Sequence, residues 1–282
     1  MFELRIENHK GEVLDFPSSE AYTVYKITGL NPPAVTVNTT SNATTDGMTV
    51  NSKRVDKRNI VIYAYINGDV ETNRIALYKY FPLKQTVKIY FSNGSRDVYI
   101  EGEVETIEID PFAQRQRAQI SILCPQPYFL AVEEITTSFS AISALFEFPF
   151  SIAKSGVEIS AITTNIRKSI VNEGDIESGI IIRLYAIGEV VNPVIYDVFH
   201  KTHIKLIFTM QANDEIVINT HAGKKRITLM RDGVEYNIMG NMVADSSWLT
   251  LFPGDNVFTY NADSGKNNVQ LRFITTELFG GV

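Results

Sequence analysis

The residues able to do chemistry in this chain are few and poorly spaced for it. Four histidines occur, and His200-Lys201-Thr202-His203 has the i, i+3 spacing of metal ligands on one helix face. A strand sends side chains three apart to opposite faces, and Ile204, Leu206 and Phe208 alternate with His203 and Lys205 as a strand does. No metal site is therefore expected there, and His203 is expected to face solvent beside Lys205. Nucleophile and phosphate motifs are missing too. There is no Gly-x-Ser-x-Gly, Gly223-Lys224-Lys225 lacks the earlier glycine of a phosphate loop, and no Gly-x-Gly-x-x-Gly follows a strand. The single cysteine, Cys124, ends an alternating strand just before Pro125, where a small buried apolar role is expected. The chain reads as a non-enzyme that needs no cofactor.

Three groups could bind rather than react. Lys53, Arg54, Lys57 and Arg58 form the densest positive cluster; a solvated face, phosphate binding, or contact with an acidic patch on another copy of the chain would each use it. Glu101, Glu103 and Glu105 share one face of a strand and are candidates for that acidic partner or for the lining of a cavity or channel. Trp248, the only tryptophan, could stack on a sugar ring. It shares the even-numbered face of its segment with Thr250 and Phe252, however, so a core position is the expectation.

The elements that must position these groups are mostly strands. With 282 residues, 44% hydrophobic and 21% charged, the chain can bury a core and is long enough for two domains, which excludes disorder, collagen and disulfide scaffolds. A net charge of −6 gives no global attraction to nucleic acid or anionic lipid. One cysteine allows no internal disulfide, the first ten residues carry Glu3, Arg5 and Glu7 in place of a signal-peptide core, and no apolar run approaches a membrane span. A soluble product assembled inside the cell is expected.

Val87, Ile89 and Phe91 alternate into an Asn93-Gly94 hairpin turn, and Val98 and Ile100 resume beyond it. From Glu101 to Ile109 the apolar phase swaps sides near Thr106, which predicts a bulge or bend. One helix is expected, from about Val70 to Phe81, capped by Asp69, stopped by Pro82, and buried through Val70, Leu77, Tyr78 and Phe81. The polar tract from Val37 to Asn59 reads as a mobile loop or as a β-arm ordered against a neighbour. After Cys124, Pro125 and Pro127 end the first block, and a second series of strand signals starts near Phe146. The boundary falls near Glu134, giving domains 1–134 and 135–282.

Several phrases taken together resemble a known family. Asp110-Pro111-Phe112, Gln116 to Phe129, Phe148-Pro149-Phe150, Asn172 to Gly179, Asn192-Pro193, Leu251 to Asn256 and the final Phe279-Gly280-Gly281-Val282 look like landmarks of the distal tail proteins of siphophages infecting Gram-positive bacteria. The resemblance implies a mainly β, two-domain virion protein. Its N-terminal domain would be split-barrel-like with one helix and an arm embracing the next subunit, and its C-terminal domain a galectin-like β-sandwich. It implies a hexameric ring at the tail tip, single or paired back to back, assembled in the host cytoplasm. One face would meet the major tail protein of the tail tube, and the other the tail-associated protein and receptor-binding proteins, with DNA only passing through and no membrane contact. The competing reading is a carbohydrate-binding β-sandwich module at the host surface.

Overall fold

The computed structural model describes residues 2–41, 43–44, 46–144, 160–164 and 167–282. The strand signal at Phe146 and the phrase Phe148-Pro149-Phe150 lie outside the described residues. Two compact units emerge, one made of the chain through Val132 plus Leu278–Val282, the other of Glu133–Glu277.

The first unit contains β1 (Glu3–Glu7), β2 (Val13–Asp15), β3 (Tyr22–Thr28), β4 (Val35–Ser41), β5 (Met48–Val55), β6 (Arg58–Ile66), α1 (Val70–Tyr80), β7 (Thr86–Ser92), β8 (Asp97–Ile109), β9 (Arg117–Cys124) and β10 (Phe129–Ala131). The second contains β11 (Ile135–Ser138), β12 (Ser140–Ala144), β13 (Ser160–Thr164), β14 (Arg167–Asn172), β15 (Ile180–Ala186), β16 (Val190–Val191), β17 (Val194–Asp197), β18 (Thr202–Lys205), β19 (Thr209–Met210), β20 (Glu215–Asn219), β21 (Arg226–Arg231), β22 (Val234–Asn237), β23 (Gly254–Asn261) and β24 (Val269–Thr275). The chain then returns to the first unit as β25 (Leu278–Phe279).

In the first unit one antiparallel sheet runs β2-β1-β7-β8-β9-β6-β3, with β10 bridging β8 and β25. Strand alternation sets its inner face: Ile60, Ile62 and Ala64 of β6, Ile89 of β7, and Ala118, Ile120, Ile122 and Cys124 of β9 are all buried. The expected phase change in β8 is real, since pairing with β9 slips between Val104 and Thr106. Glu105 is the extra residue, and Val104 before it and Ile107 after it both turn toward the core.

α1 is the one α-helix among the described residues. Asp69 caps it, accepting from the Thr72 hydroxyl at 2.6 Å, and Leu77 and Phe81 are buried. Tyr78, expected on the buried face, is exposed, and Tyr80 packs against the core in its place. The helix ends at Tyr80, with Phe81 as its C-cap.

In the second unit a six-stranded sheet, β11-β24-β15-β20-β21-β22, and a four-stranded sheet, β14-β23-β17-β18, enclose one core. Ile182, Leu184 and Phe273 from the first sheet meet Ile195, Ile204 and Phe258 from the second.

Candidate functional site

Along the tract from Val37 to Asn59, β4 and β5 pair as a two-stranded hairpin that joins no other strand among the described residues. Every described residue of β4 is exposed, and so is β5 up to Arg54. Register sorts its side chains into two faces. Val35 lies opposite Val55 and Val37 opposite Lys53; past a one-residue slip, Thr39 lies opposite Val50 and Ser41 opposite Met48. That face is largely apolar, and Val35, Val37, Met48 and Val50 are about half or more exposed. The other face satisfies itself. Thr36 donates to Asp56 at 2.7 Å, Arg54 pairs with Asp56 at 2.7 Å, and Asn38 donates to Ser52 at 2.9 Å. The sequence reading of a loop or β-arm rested on polarity alone and did not foresee an apolar face. The signal it missed is the alternation Val35-x-Val37 and Met48-x-Val50 on either side of Asp46-Gly47.

The positive cluster does not survive as one patch. Lys53 and Arg54, adjacent on a strand, point to opposite faces. Arg58 leaves the cluster altogether: it opens β6, is buried, and aims its guanidinium at backbone oxygens. Its Nε donates to Pro127 O at 2.6 Å, Nη1 to Gly29 O at 2.5 Å and Asn31 O at 2.9 Å, and Nη2 to Gly280 O at 2.5 Å. The Phe129 ring lies 4.5 Å below it, and burial lowers its pKa. Arg58 therefore fastens the arm root, the segment after β9 and the returning chain to one another. Beside it Gly29, at φ +87°, is so close to Asn59 that a Cβ would fall 2.1 Å from the Asn59 carbonyl oxygen. Gly281 packs on Pro32, and Val282 N donates to Leu30 O at 3.2 Å.

The three glutamates have separate local partners. Glu101 lies 3.8 Å from Lys88 Nζ, Glu103 accepts from the Thr86 hydroxyl at 2.7 Å, and Glu105 accepts from the Ser121 hydroxyl at 3.1 Å from the bulge. Trp248 is half-buried against the second core with Lys225 Nζ 5.6 Å from its ring centre. The fully buried neighbours are Leu249 and Leu251, on the odd-numbered face, which reverses the expected orientation of that segment. His200 sits in the turn after β17, its Nδ1 2.8 Å from the buried carboxylate of Asp197, while His203 is half-exposed on β18 opposite Tyr196. Among the described residues no three His, Cys, Asp or Glu side chains gather to hold a metal. Cys124 is fully buried, and desolvation pushes its thiol up to about 12.

The β8–β9 turn begins with Asp110-Pro111-Phe112. Phe112 is 95% exposed on a turn fixed by its own N–H donating to Asp110 Oδ1 at 3.0 Å and by Gln116 Nε2 donating to Pro111 O at 3.0 Å.

Residues 173–276 match the family model for the siphovirus-type tail component, C-terminal domain. Across its length the chain shares its fold with the SPP1 Dit (gp 19.1) protein, described as a paradigm of hub adsorption apparatus in Gram-positive infecting phages. The TM-score is 0.69 at 14% identity, covering 99% of both chains. Chains of the phage P2 baseplate in its activated conformation, with Ca and with Sr, match with TM-scores of 0.54 and 0.53, each at 12% identity over 98% of both chains. No curated protein matches the sequence.

Proposed function

We propose that this chain is a structural, non-enzymatic protein of a phage tail tip, a baseplate hub that closes on itself as a hexameric ring through the β4–β5 arm. The observation that carries the reading is the arm. Its apolar face is uncovered in the single chain, its polar face is satisfied internally, and its root is locked by Arg58. A two-stranded ribbon is marginal by itself, so covering that face with a neighbouring copy supplies what the chain alone does not. The fold shared with SPP1 Dit and the tail-component match over 173–276 support the same assignment.

In this reading the first unit, residues 1–134 together with the returning Leu278–Val282, builds the ring, and the rest of 135–282 forms a galectin-like sandwich. One ring face meets the major tail protein of the tail tube, and the other meets the tail-associated and receptor-binding proteins in the virion. Phe112 is a contact for one of these neighbours. Lys53 and Lys57 supply positive charge at the arm, and Glu101, Glu103 and Glu105 supply an acidic interface or channel face.

The test is solution mass. The intact chain is expected as a hexamer or a paired dodecamer, and Val37→Asp with Val50→Asp is expected to give folded monomers with an unchanged far-ultraviolet circular dichroism spectrum, because both positions are exposed within the chain. A monomer at every concentration of the unaltered chain would overturn the ring. Glycan binding lost on Trp248→Ala would then favour the carbohydrate-module reading.

A further inference from the structure

The outer face of the six-stranded sheet in the second unit carries a cleft of about 420 Å³ lined by Ser138, Arg183, Tyr185, Glu215, Gln270 and Arg272. That is the size of a small-ligand pocket. Its charges are arranged unusually. Arg183 of β15 and Arg272 of β24 are direct cross-strand partners, and like charges placed opposite each other destabilise a sheet. Glu215 of β20 relieves one of them, accepting from Arg183 Nη1 at 3.0 Å. Arg272 is exposed, and its guanidinium makes no hydrogen bond or ion pair among the described residues. One guanidinium fork is thus left over at the side of a cleft, where a bidentate oxyanion would complete the pairing.

The rest of the lining favours hydroxyl groups over a bare ion. Ser138 lies directly opposite Arg272 on the edge strand β11, and Gln270 lies opposite Tyr185. The Tyr185 ring is held by its hydroxyl on Asn213 Oδ1 at 3.0 Å, which offers a fixed flat surface to the C–H face of a sugar. We infer that this cleft is a subsite for a saccharide bearing a carboxylate or phosphate group, with Arg272 taking the anion and Tyr185, Gln270 and Ser138 facing the ring and its hydroxyls. It is independent of the arm and of Trp248.

The test is calorimetric titration of the full chain with glucuronate, glucose-6-phosphate, glucose and inorganic phosphate. Saturable binding of either charged sugar, with glucose and inorganic phosphate at least about tenfold weaker, is expected, and the stronger of the two sugars identifies the anion. Arg272→Ala should weaken that binding at least about tenfold without lowering the melt, because the lost charged hydrogen bond falls on the ligand alone and a like-charge pair is removed from the sheet. Glu215→Gln should strengthen it by freeing Arg183. Absence of saturable binding, equal binding of glucose or of inorganic phosphate, or an unaffected Arg272→Ala variant would each overturn the inference.

Discussion

Arg58 shows how one side chain changes role between sequence and structure. Beside Lys53, Arg54 and Lys57 it reads as one more surface charge, yet it is buried and donates to four backbone oxygens. Arg58→Met would leave those carbonyls without their donor and should destabilise the first unit by roughly 2–4 kcal/mol, seen as a lower urea midpoint. Arg58→Lys, which keeps the charge without the planar fork, should recover only part of the loss. Cys124 sets a pH limit. Burial raises its folded pKa to about 12, so above the ordinary thiol range the unfolded chain sheds a proton that the folded chain keeps. Its contribution to stability is whole below pH ~8.5 and declines as pH rises toward 12. Tyr90, raised to about 12 by burial and by its hydrogen bond to Glu7, acts with the same sign. Urea midpoints measured from neutral to strongly alkaline pH should therefore fall, and Cys124→Ala should flatten the fall. Native Cys124 should resist alkylating reagents until urea unfolds the chain.

At the scale of elements, β8 repays a close look. Gly102 faces inward, and a Cβ there would sit 2.7 Å from Ile122 Cγ2 and 2.8 Å from Cys124 Sγ. Gly102→Ala should force β8 off β9 and lower stability by about 1–3 kcal/mol by thermal melt, while Cys124→Ala in the same chain should restore part of it. The bulge three residues on was legible because a period-2 pattern that changes sides has few physical explanations. The hairpin at Asn93-Gly94 and the cap at Asp69 were legible for the same local reason. The candidate binding groups were less so. Lys53 and Arg54 are neighbours in sequence but on opposite faces in space, and only the register with β4 reveals it. The arm's apolar face was written as alternation and was overlooked among its threonines and asparagines. Arg272 and Arg183 meet only through the pairing of β24 with β15, which no local pattern encodes.

At the scale of the whole molecule, the chain makes its first unit from two separated stretches. Phe279 pairs with Phe129, and Arg96 stacks on its ring at 4.5 Å. The fragment Glu133–Glu277 should melt cooperatively alone, since it holds a complete core. Residues 1–132 alone should melt well below the same unit in the intact chain, and Phe279→Ala in the intact chain should reproduce part of that deficit, about 3 kcal/mol for a buried phenylalanine. Circular dichroism melts of the three proteins decide it, and equal melting of 1–132 and the intact unit would show that the returning strand contributes nothing. This return also imposes an order in time. A ribosome makes the arm and its root early, then spends roughly seven to thirty seconds on Glu133–Glu277 before β25 and Gly280 emerge. Throughout that interval Arg58 lacks one of its acceptors and β10 lacks one of its two partner strands, so a nascent chain carries an arm whose anchorage is unfinished. Chains stalled before Leu278 should therefore remain open to protease at the arm root.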